Sequence, residues 1–147
     1  MKQIVCTWKK IKIGIAGFVL GLSANAIAAD IVVVASAKSP VFALNDNQVA
    51  EIFLGKTNQL PGGGQPIPID QSEGSATRDE FYFKFMGKSP AQVKAYWSKI
   101  IFTGRGQPPQ SVENSVEVKK RLLENPYAIG YIEQDQVDDS VKVLSAK

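Results

Sequence analysis

The stretch Ile31-Val32-Val33-Val34-Ala35 is a continuous run of apolar, mostly β-branched residues. Successive side chains of a strand point to opposite faces of a sheet, so a strand that is apolar at every position is predicted to be buried on both faces. A sheet with two covered faces needs helices on both sides. The run therefore predicts an α/β fold in which helices flank a mixed sheet.

Outward from this strand, helical patterns alternate with short strands. Asn45 begins a helix in which Gln48 completes a capping box, and Gly55 ends that helix. Three further helices are predicted over 76–86, 89–101 and 111–124, and three further strands over 67–70, 128–132 and 141–144. The inward positions are predicted to be Val93, Tyr96, Trp97, Ile100 and Ile101 in the third helix, and Val112, Val116, the stem of Lys119, Leu122 and Leu123 in the fourth. Pro68 suggests that its strand lies at a sheet edge or is irregular.

The first 28 residues have the layout of a secretory signal peptide. A lysine-rich start precedes the uncharged apolar run Ile13–Leu22, and Ala26-Ile27-Ala28 is a small-x-small cleavage pattern. We expect cleavage after Ala28, with Ala26 as the alternative site. An uncleaved N-terminal anchor is the other interpretation, but the apolar run is short for a membrane span. Residues 29–147 then form one domain.

Removal of this segment changes the charge and the cysteine content. The whole chain has 17 basic and 14 acidic residues; four lysines and the single cysteine, Cys6, lie in the segment, which leaves 13 basic and 14 acidic residues and a net charge of −1. The basic character of the chain is thus no argument for nucleic-acid binding. A processed chain without cysteine has no disulfide, no thiol nucleophile and no lipid-anchor cysteine, which suits a bacterial periplasm.

A possible anion site lies in Glu73-Gly74-Ser75-Ala76-Thr77-Arg78-Asp79-Glu80-Phe81. Two hydroxyls and an arginine follow a glycine where a helix is predicted to begin. The first N–H groups of a helix have no intrahelical partner, and the helix dipole is positive there, so an oxyanion such as phosphate is favoured. Ser75, Thr77 and Arg78 would add charged and neutral donors. The alternative is structural, with Ser75 capping the helix and Arg78 in solvent.

Four motifs in order resemble the phosphate-binding component of bacterial phosphate ABC importers, in the type II periplasmic-binding-protein superfamily. They are Glu51-Ile52-Phe53-Leu54-Gly55-Lys56; Gly74-Ser75-Ala76-Thr77-Arg78 with Phe81; Trp97 followed by Ile101-Phe102-Thr103-Gly104; and Ala128-Ile129-Gly130-Tyr131. The resemblance covers nearly all of the chain after the signal segment. It implies a single-lobe periplasmic-binding-protein-like domain with a sheet of about four to five strands.

The resemblance also implies which residues bind phosphate. Ser75 and Thr77 would donate from their hydroxyls, and Ala76, which stands where the family usually has glycine, would donate from its backbone N–H. Gln71 stands where the transporter proteins often have an arginine, so it brings a donor without charge, and Arg78 could partly replace that charge. Weaker candidates are Ser36 and Ser39 after the first strand and Arg105 in a loop, for which a solvated loop charge is the alternative.

Length separates this chain from two-lobed importer components, since it matches about one lobe. A half-site has fewer donors and more water, so we expect weak phosphate binding, or binding across a homodimer that rebuilds a cleft. The first hypothesis is a periplasmic, non-catalytic phosphate-binding protein in uptake or sensing, working with an ABC importer. The second is an interaction module that has lost tight ligand binding and engages a sensor or an outer-membrane channel.

An enzyme is the least favoured interpretation. The chain has no histidine, which removes the commonest general base and the usual transition-metal ligand. Ser75 has no evident base and no nucleophile-elbow pattern around it. We therefore expect no catalytic residue, no metal and no cofactor.

Overall fold

A computed structural model describes residues 29–147, so the predicted signal peptide lies outside the described residues. The elements in chain order are β1 (Ile31–Ser36), α1 (Asp46–Phe53), β2 (Ile67–Gln71), α2 (Ala76–Met86), α3 (Pro90–Phe102), β3 (Gln110–Val112), α4 (Ser115–Glu124), β4 (Ala128–Glu133), a short 3₁₀ helix (Gln134–Gln136) and β5 (Val141–Ala146). Between residues 29 and 147, no helix has the length and apolar character of a membrane span.

The five strands form one mixed sheet in the order β3-β2-β4-β1-β5. β2 is parallel to both β3 and β4, whereas β1 is antiparallel to β4 and β5. The carboxyl ends of β2, β3 and β4 therefore lie at one edge of the sheet, which we call the carboxyl edge. The carboxyl end of β1 lies at the opposite edge. The predicted α/β class and strand number are confirmed.

Two apolar cores cover the two faces of the sheet. Ile31, Val33 and Ala35 face a core shared with α1, α2 and α3. Val32 and Val34 face a second core shared with α4. All five residues are at most 2% exposed, as the apolar run predicted. The alternation of side chains along one strand thus fixes a three-layer arrangement, with three helices on one side and one on the other.

Local capping places the helix ends where the sequence predicts them. Asn45 and Gln48 form a capping box at the start of α1, and Ser89 and Gln92 form another at the start of α3. Gly55 and Gly87 follow α1 and α2 with positive φ angles of 64° and 61°, a region that favours glycine.

The predicted helix from Ser111 is wrong at its start. Residues 110–112 form β3, which pairs with β2, and α4 begins only at Ser115 after the N-cap Asn114. This shift rotates the inward face, so Val118 and Leu122 are buried while Val116 and Leu123 are 62% and 61% exposed. Ile101 of α3 is also exposed, at 54%, contrary to its predicted inward position.

Pro68 lies in β2, which is an inner strand and not an edge strand. Its pairing is one-sided at this point, because Ile67 and Pro68 pair with β4 whereas the pairing with β3 begins at Ile69. The missing N–H of proline is therefore tolerated where one neighbour is absent. β2 is therefore not an edge strand, but its pairing is irregular at Pro68, which is the other predicted alternative.

Candidate functional site: a cleft at two helix starts

The N-termini of α2 and α4 meet at the carboxyl edge and enclose an open cleft of about 380 Å³. The end of β2, the end of β4 and the 3₁₀ helix complete its walls. Its lining residues are Gln71, Ser75, Thr77, Glu113, Asn114, Ser115, Val116, Glu133, Asp135 and Gln136. Two helix starts that face one space bring unpaired N–H groups and two positive dipole ends to it, which favours a negatively charged occupant.

Ser75 is the N-cap of α2. Its Oγ accepts from the N–H of Arg78 at 3.4 Å, and its hydroxyl donates to Gln71 Oε1 at 3.2 Å. Gly74, just before it, has a φ of 90°, which favours glycine at this turn. The N–H groups of Ala76 and Thr77 lie in the first helical turn, where no intrahelical acceptor exists. The segment thus combines the capping role with free backbone donors.

Gln71 connects the parts of the site. Its side-chain nitrogen donates to Ser115 Oγ at 3.1 Å and to the carbonyl of Tyr131 at 3.2 Å. Its side-chain oxygen accepts from Ser75. The residue is only 2% exposed, and its amide is used within the protein. Gln71 therefore aligns α2, α4 and β4 at the cleft and has no spare donor for a ligand.

Glu133, the last residue of β4, places its carboxylate between the two helix starts. One oxygen accepts from the Thr77 hydroxyl and the other from the Ser115 hydroxyl, at 2.5 Å in the second case. Partial burial raises the pKa of Glu133, but the hydrogen bonds from Ser115 and Thr77 outweigh this, and the pKa is lower than usual. A carboxylate of the protein thus uses the two side-chain donors best placed for an oxyanion.

The remaining charge of the cleft is also negative. Glu113 and Asp135 line it together with Glu133, and no lysine or arginine is among its lining residues. Within residues 29–147, no group of three or more histidine, cysteine, aspartate or glutamate side chains is arranged to hold a metal ion. The cleft therefore combines neutral hydrogen-bond donors, which can bind an anion, with three carboxylates, which repel one.

Arg78 points away from this cleft. Its Nε forms an ion pair with the buried carboxylate of Asp70 at 3.2 Å, and its guanidinium lies over the ring of Tyr82. Burial lowers the pKa of Arg78, but the Asp70 carboxylate outweighs this and raises it. The Arg78 side chain is only 11% exposed, so it is not solvated as the structural alternative expected. It also does not line the cleft, where the anion contact was expected.

Other weaker candidates also lie elsewhere. Ser36 ends β1, and so lies at the edge of the sheet opposite the cleft. Its Oγ accepts from the N–H of Lys38, and Ser39 Oγ accepts from the N–H of Val41, so both serve a local turn. Arg105 is exposed in the loop after α3 and does not line the cleft. The structure brings together Gln71, Ser75, Ala76 and Thr77, but not these three.

Sequence reasoning missed Ser115 and Glu133. The spacing Asn114-x-x-Glu117 was a signal for a helix start, since Asn114 Oδ1 accepts from the N–H of Glu117 at 3.1 Å. Glu133 directly follows the predicted strand 128–132, at the end where ligands collect in sheets with parallel strands. The parallel pairing of β2 with β4, which no local pattern indicated, was needed to place Glu133 beside Thr77.

Three solved structures are similar to this chain over most of its length. A protein assigned as a phosphate ABC transporter substrate-binding protein from Clostridium perfringens, solved with bound phosphate, is 27% identical over 80% of this chain and 46% of its own, with a TM-score of 0.64. An ABC-type phosphate transport receptor from Vibrio cholerae is 21% identical with a TM-score of 0.61, and PstS from Borrelia burgdorferi is 17% identical with a TM-score of 0.54; each match covers 80% of this chain and 47% of the other. No protein-family model and no curated protein matches the sequence.

The expected resemblance to phosphate ABC transporter substrate-binding proteins is therefore confirmed, over about half the length of these proteins. Substrate-binding proteins of this class carry out no chemical step, in agreement with the expectation that the chain is not an enzyme. The unmatched half of each of these proteins has no counterpart within residues 29–147.

Proposed function

We propose that this chain is a non-catalytic protein that binds a phosphate-class oxyanion at the cleft between α2 and α4, in the service of transport. One observation carries the proposal: the Thr77 and Ser115 hydroxyls already hold a carboxylate between two helix starts. A carboxylate and a phosphate both present oxygen acceptors that carry negative charge. The similarity to a phosphate-bound structure from Clostridium perfringens supports phosphate as the oxyanion.

The donors that the cleft offers are the backbone N–H groups of Ala76 and Thr77 on α2 and of Ser115 and Val116 on α4. The hydroxyls of Thr77 and Ser115 are further donors, which Glu133 holds in this structure. These are neutral groups, and they face an open cleft with three carboxylates. Neutral hydrogen bonds exposed to water contribute about 1 kcal/mol each or less. We therefore expect weak binding of phosphate by a single chain, as the half-length match also suggests.

The place of action that we propose is the periplasm, reached through the predicted signal peptide of residues 1–28. An ABC importer is the proposed receiving partner, on the strength of the similar structures. The processed chain has a net charge of −1, so nucleic acid is not a proposed partner.

The test is a titration of the purified protein with phosphate, in which binding is measured by calorimetry and by thermal shift. Sulfate is the comparison ligand. Saturable binding that Thr77→Ala combined with Ser115→Ala weakens at least tenfold supports the site. A matched control is Ser39→Ala, which removes a buried hydroxyl from the opposite edge of the sheet and should leave the affinity unchanged. No binding up to millimolar phosphate refutes the proposal.

A second candidate is an interaction module that engages a sensor, an outer-membrane channel or a second copy of this chain. Exposed apolar side chains beside the cleft and at the end of α3 favour it: Val116 is 62% exposed and Phe102 is 92% exposed. Sedimentation and phosphate titration of the same sample separate the candidates. A protein that stays monomeric and binds phosphate supports the first candidate, whereas a dimer without phosphate affinity supports the second.

A further inference from the structure

We propose that Glu133 is an internal competitor of the ligand, which the oxyanion must displace from Thr77 and Ser115, and that Glu133 thereby makes the site prefer oxyanions of low charge. This inference rests on the proposed function and names the residue that sets its specificity. The Glu133 carboxylate lies at the starts of α2 and α4, and each of its oxygens accepts from a hydroxyl of one of these helices.

The position of Glu133 is fixed by the backbone. The residue ends β4 and pairs with Ile31 of β1, and the N–H of the next residue, Gln134, donates to the carbonyl of Asp30 at 2.8 Å. Its side chain therefore starts from a rigid point and reaches two hydroxyls that face each other across the cleft. An oxyanion that takes both hydroxyls must move the carboxylate away, because each hydroxyl has one proton to donate.

The charges around Glu133 make this displacement costly for a dianion. Asp135 on the 3₁₀ helix and Glu113 before α4 line the same cleft, and α2 contributes only Ser75 and Thr77 to it. On the β1 side, the Asp30 side chain is 74% exposed and lies near Lys84. The cleft lining holds no lysine or arginine that would neutralise a released Glu133 together with a bound anion. Each added negative charge on the ligand therefore adds repulsion that only the partial positive charges of the two helix starts offset.

Two consequences follow for ligand choice. Phosphate can gain a proton near neutral pH and become a monoanion, whereas sulfate stays a dianion, so phosphate should bind better than sulfate and better still as the pH falls. The hydrogen bonds that lower the pKa of Glu133 keep it charged at neutral pH, so the competitor is present under ordinary conditions. The apparent affinity is reduced by the fraction of molecules in which Glu133 occupies the donors.

The experiment compares inorganic phosphate and sulfate binding by the wild-type protein, Glu133→Gln and Glu113→Gln at pH 6 and pH 8, by calorimetry. Both variants remove one charge from the cleft, but only Glu133 contacts Thr77 and Ser115. We expect Glu133→Gln to bind phosphate about tenfold more tightly at pH 8 than the wild type, since a neutral amide with one acceptor oxygen competes less well than a carboxylate with two. We expect Glu113→Gln to raise the affinity less than threefold, because it removes repulsion but frees no hydroxyl, and to keep the pH dependence.

Equal or weaker phosphate binding by folded Glu133→Gln overturns the inference and leaves the proposed function in place, provided that the wild type binds. Absence of phosphate binding in all three proteins overturns both. Should Glu133→Gln fail to fold, the wild type alone decides: affinity for phosphate that does not increase between pH 8 and pH 6, or sulfate that binds as well as phosphate, refutes the role of Glu133.

Discussion

At the residue scale, the buried carboxylate of Asp70 determines where Arg78 points. Asp70 accepts from Arg78 Nε, from the Tyr82 hydroxyl at 2.9 Å and from the Tyr131 hydroxyl at 2.5 Å. The N–H of Gln71 donates to the same carboxylate at 2.8 Å. Burial and the adjacent carboxylate raise the pKa of Tyr131 well above its usual value, so its hydroxyl remains a donor. Arg78 thus completes an internal cluster and is not available to the cleft.

Removal of Arg78 should therefore affect stability more than phosphate binding. In Arg78→Ala the Asp70 carboxylate loses its cation, and we expect the free energy of unfolding to fall by about 3 kcal/mol. This is at the low end for a broken buried ion pair, because the two tyrosine hydroxyls still donate to Asp70. Urea unfolding measures this. The control Arg105→Ala removes the same charge from an exposed loop and should change stability by less than about 0.5 kcal/mol. A stable Arg78→Ala that loses phosphate binding would contradict this role.

Glu133 should make stability depend on pH in the acid range. The pKa of Glu133 is lower in the folded protein than its ordinary value of 4.5. The hydrogen bonds of its carboxylate therefore stabilise the fold fully above pH 4.5, and this stabilisation is lost as the pH falls through the folded-state pKa. The Glu133→Gln variant lacks this contribution. We expect wild type to be the more stable protein at pH 6, and the difference to shrink toward pH 3, as measured by urea midpoints. Asp138, whose pKa is lowered to about 2 by Lys119 and Ser140, titrates alike in both proteins. A difference independent of pH would contradict the assignment.

At the element scale, Gly130 sets how closely α4 packs on β4. A Cβ at this position would lie 2.4 Å from Cγ1 of Val118, which is nearer than van der Waals contact allows. Because α4 carries Ser115 and β4 carries Glu133, this close approach also fixes the width of the cleft. The glycine of the Ala128-Ile129-Gly130-Tyr131 motif is thus explained by packing between a strand and a helix.

Gly130→Ala should destabilise the protein by about 2 kcal/mol, because the added methyl group overpacks the core beside Val118. Urea unfolding is again the measurement. Gly106→Ala is the matched control, since a Cβ there would lie 3.5 Å from Ile100, an ordinary contact, and should change stability little. A Gly130→Ala protein as stable as wild type would show that α4 moves away at little cost.

Local sequence signals determine which helices and strands could be predicted from the sequence. The starts of α1, α2 and α3 follow from capping residues within three positions of the helix, which are local signals. β3 was missed because residues 110–112 are strand only through their pairing with residues 69–71, about 40 positions earlier. Three residues without alternating polarity give no period, so tertiary pairing decided their conformation.

At the scale of the whole molecule, the site is assembled from three distant segments. Residues 74–78 were predicted as a candidate site because they are contiguous and lie at a helix-start pattern. Residues 113–116 and 133–136 reach the same cleft only because β2 and β4 are parallel neighbours and α4 starts at the carboxyl edge. Strand order is a property of the whole sheet, so the sequence indicated the donors on α2 and not the carboxylates that face them.

The charge of the assembled cleft predicts how salt affects ligand binding. A site built on lysine or arginine loses affinity for an anion as salt increases, because screening weakens attraction. This cleft has three carboxylates and no cation in its lining, so screening weakens repulsion instead. We expect the phosphate affinity of the monomeric protein to be weaker than micromolar and to increase, by about two- to threefold, between 0.05 and 0.5 M sodium chloride. Calorimetry on samples whose mass is checked by light scattering provides the measurement. Submicromolar affinity for a proven monomer, or affinity that falls with salt, would mean that a cation outside the cleft lining contacts the ligand.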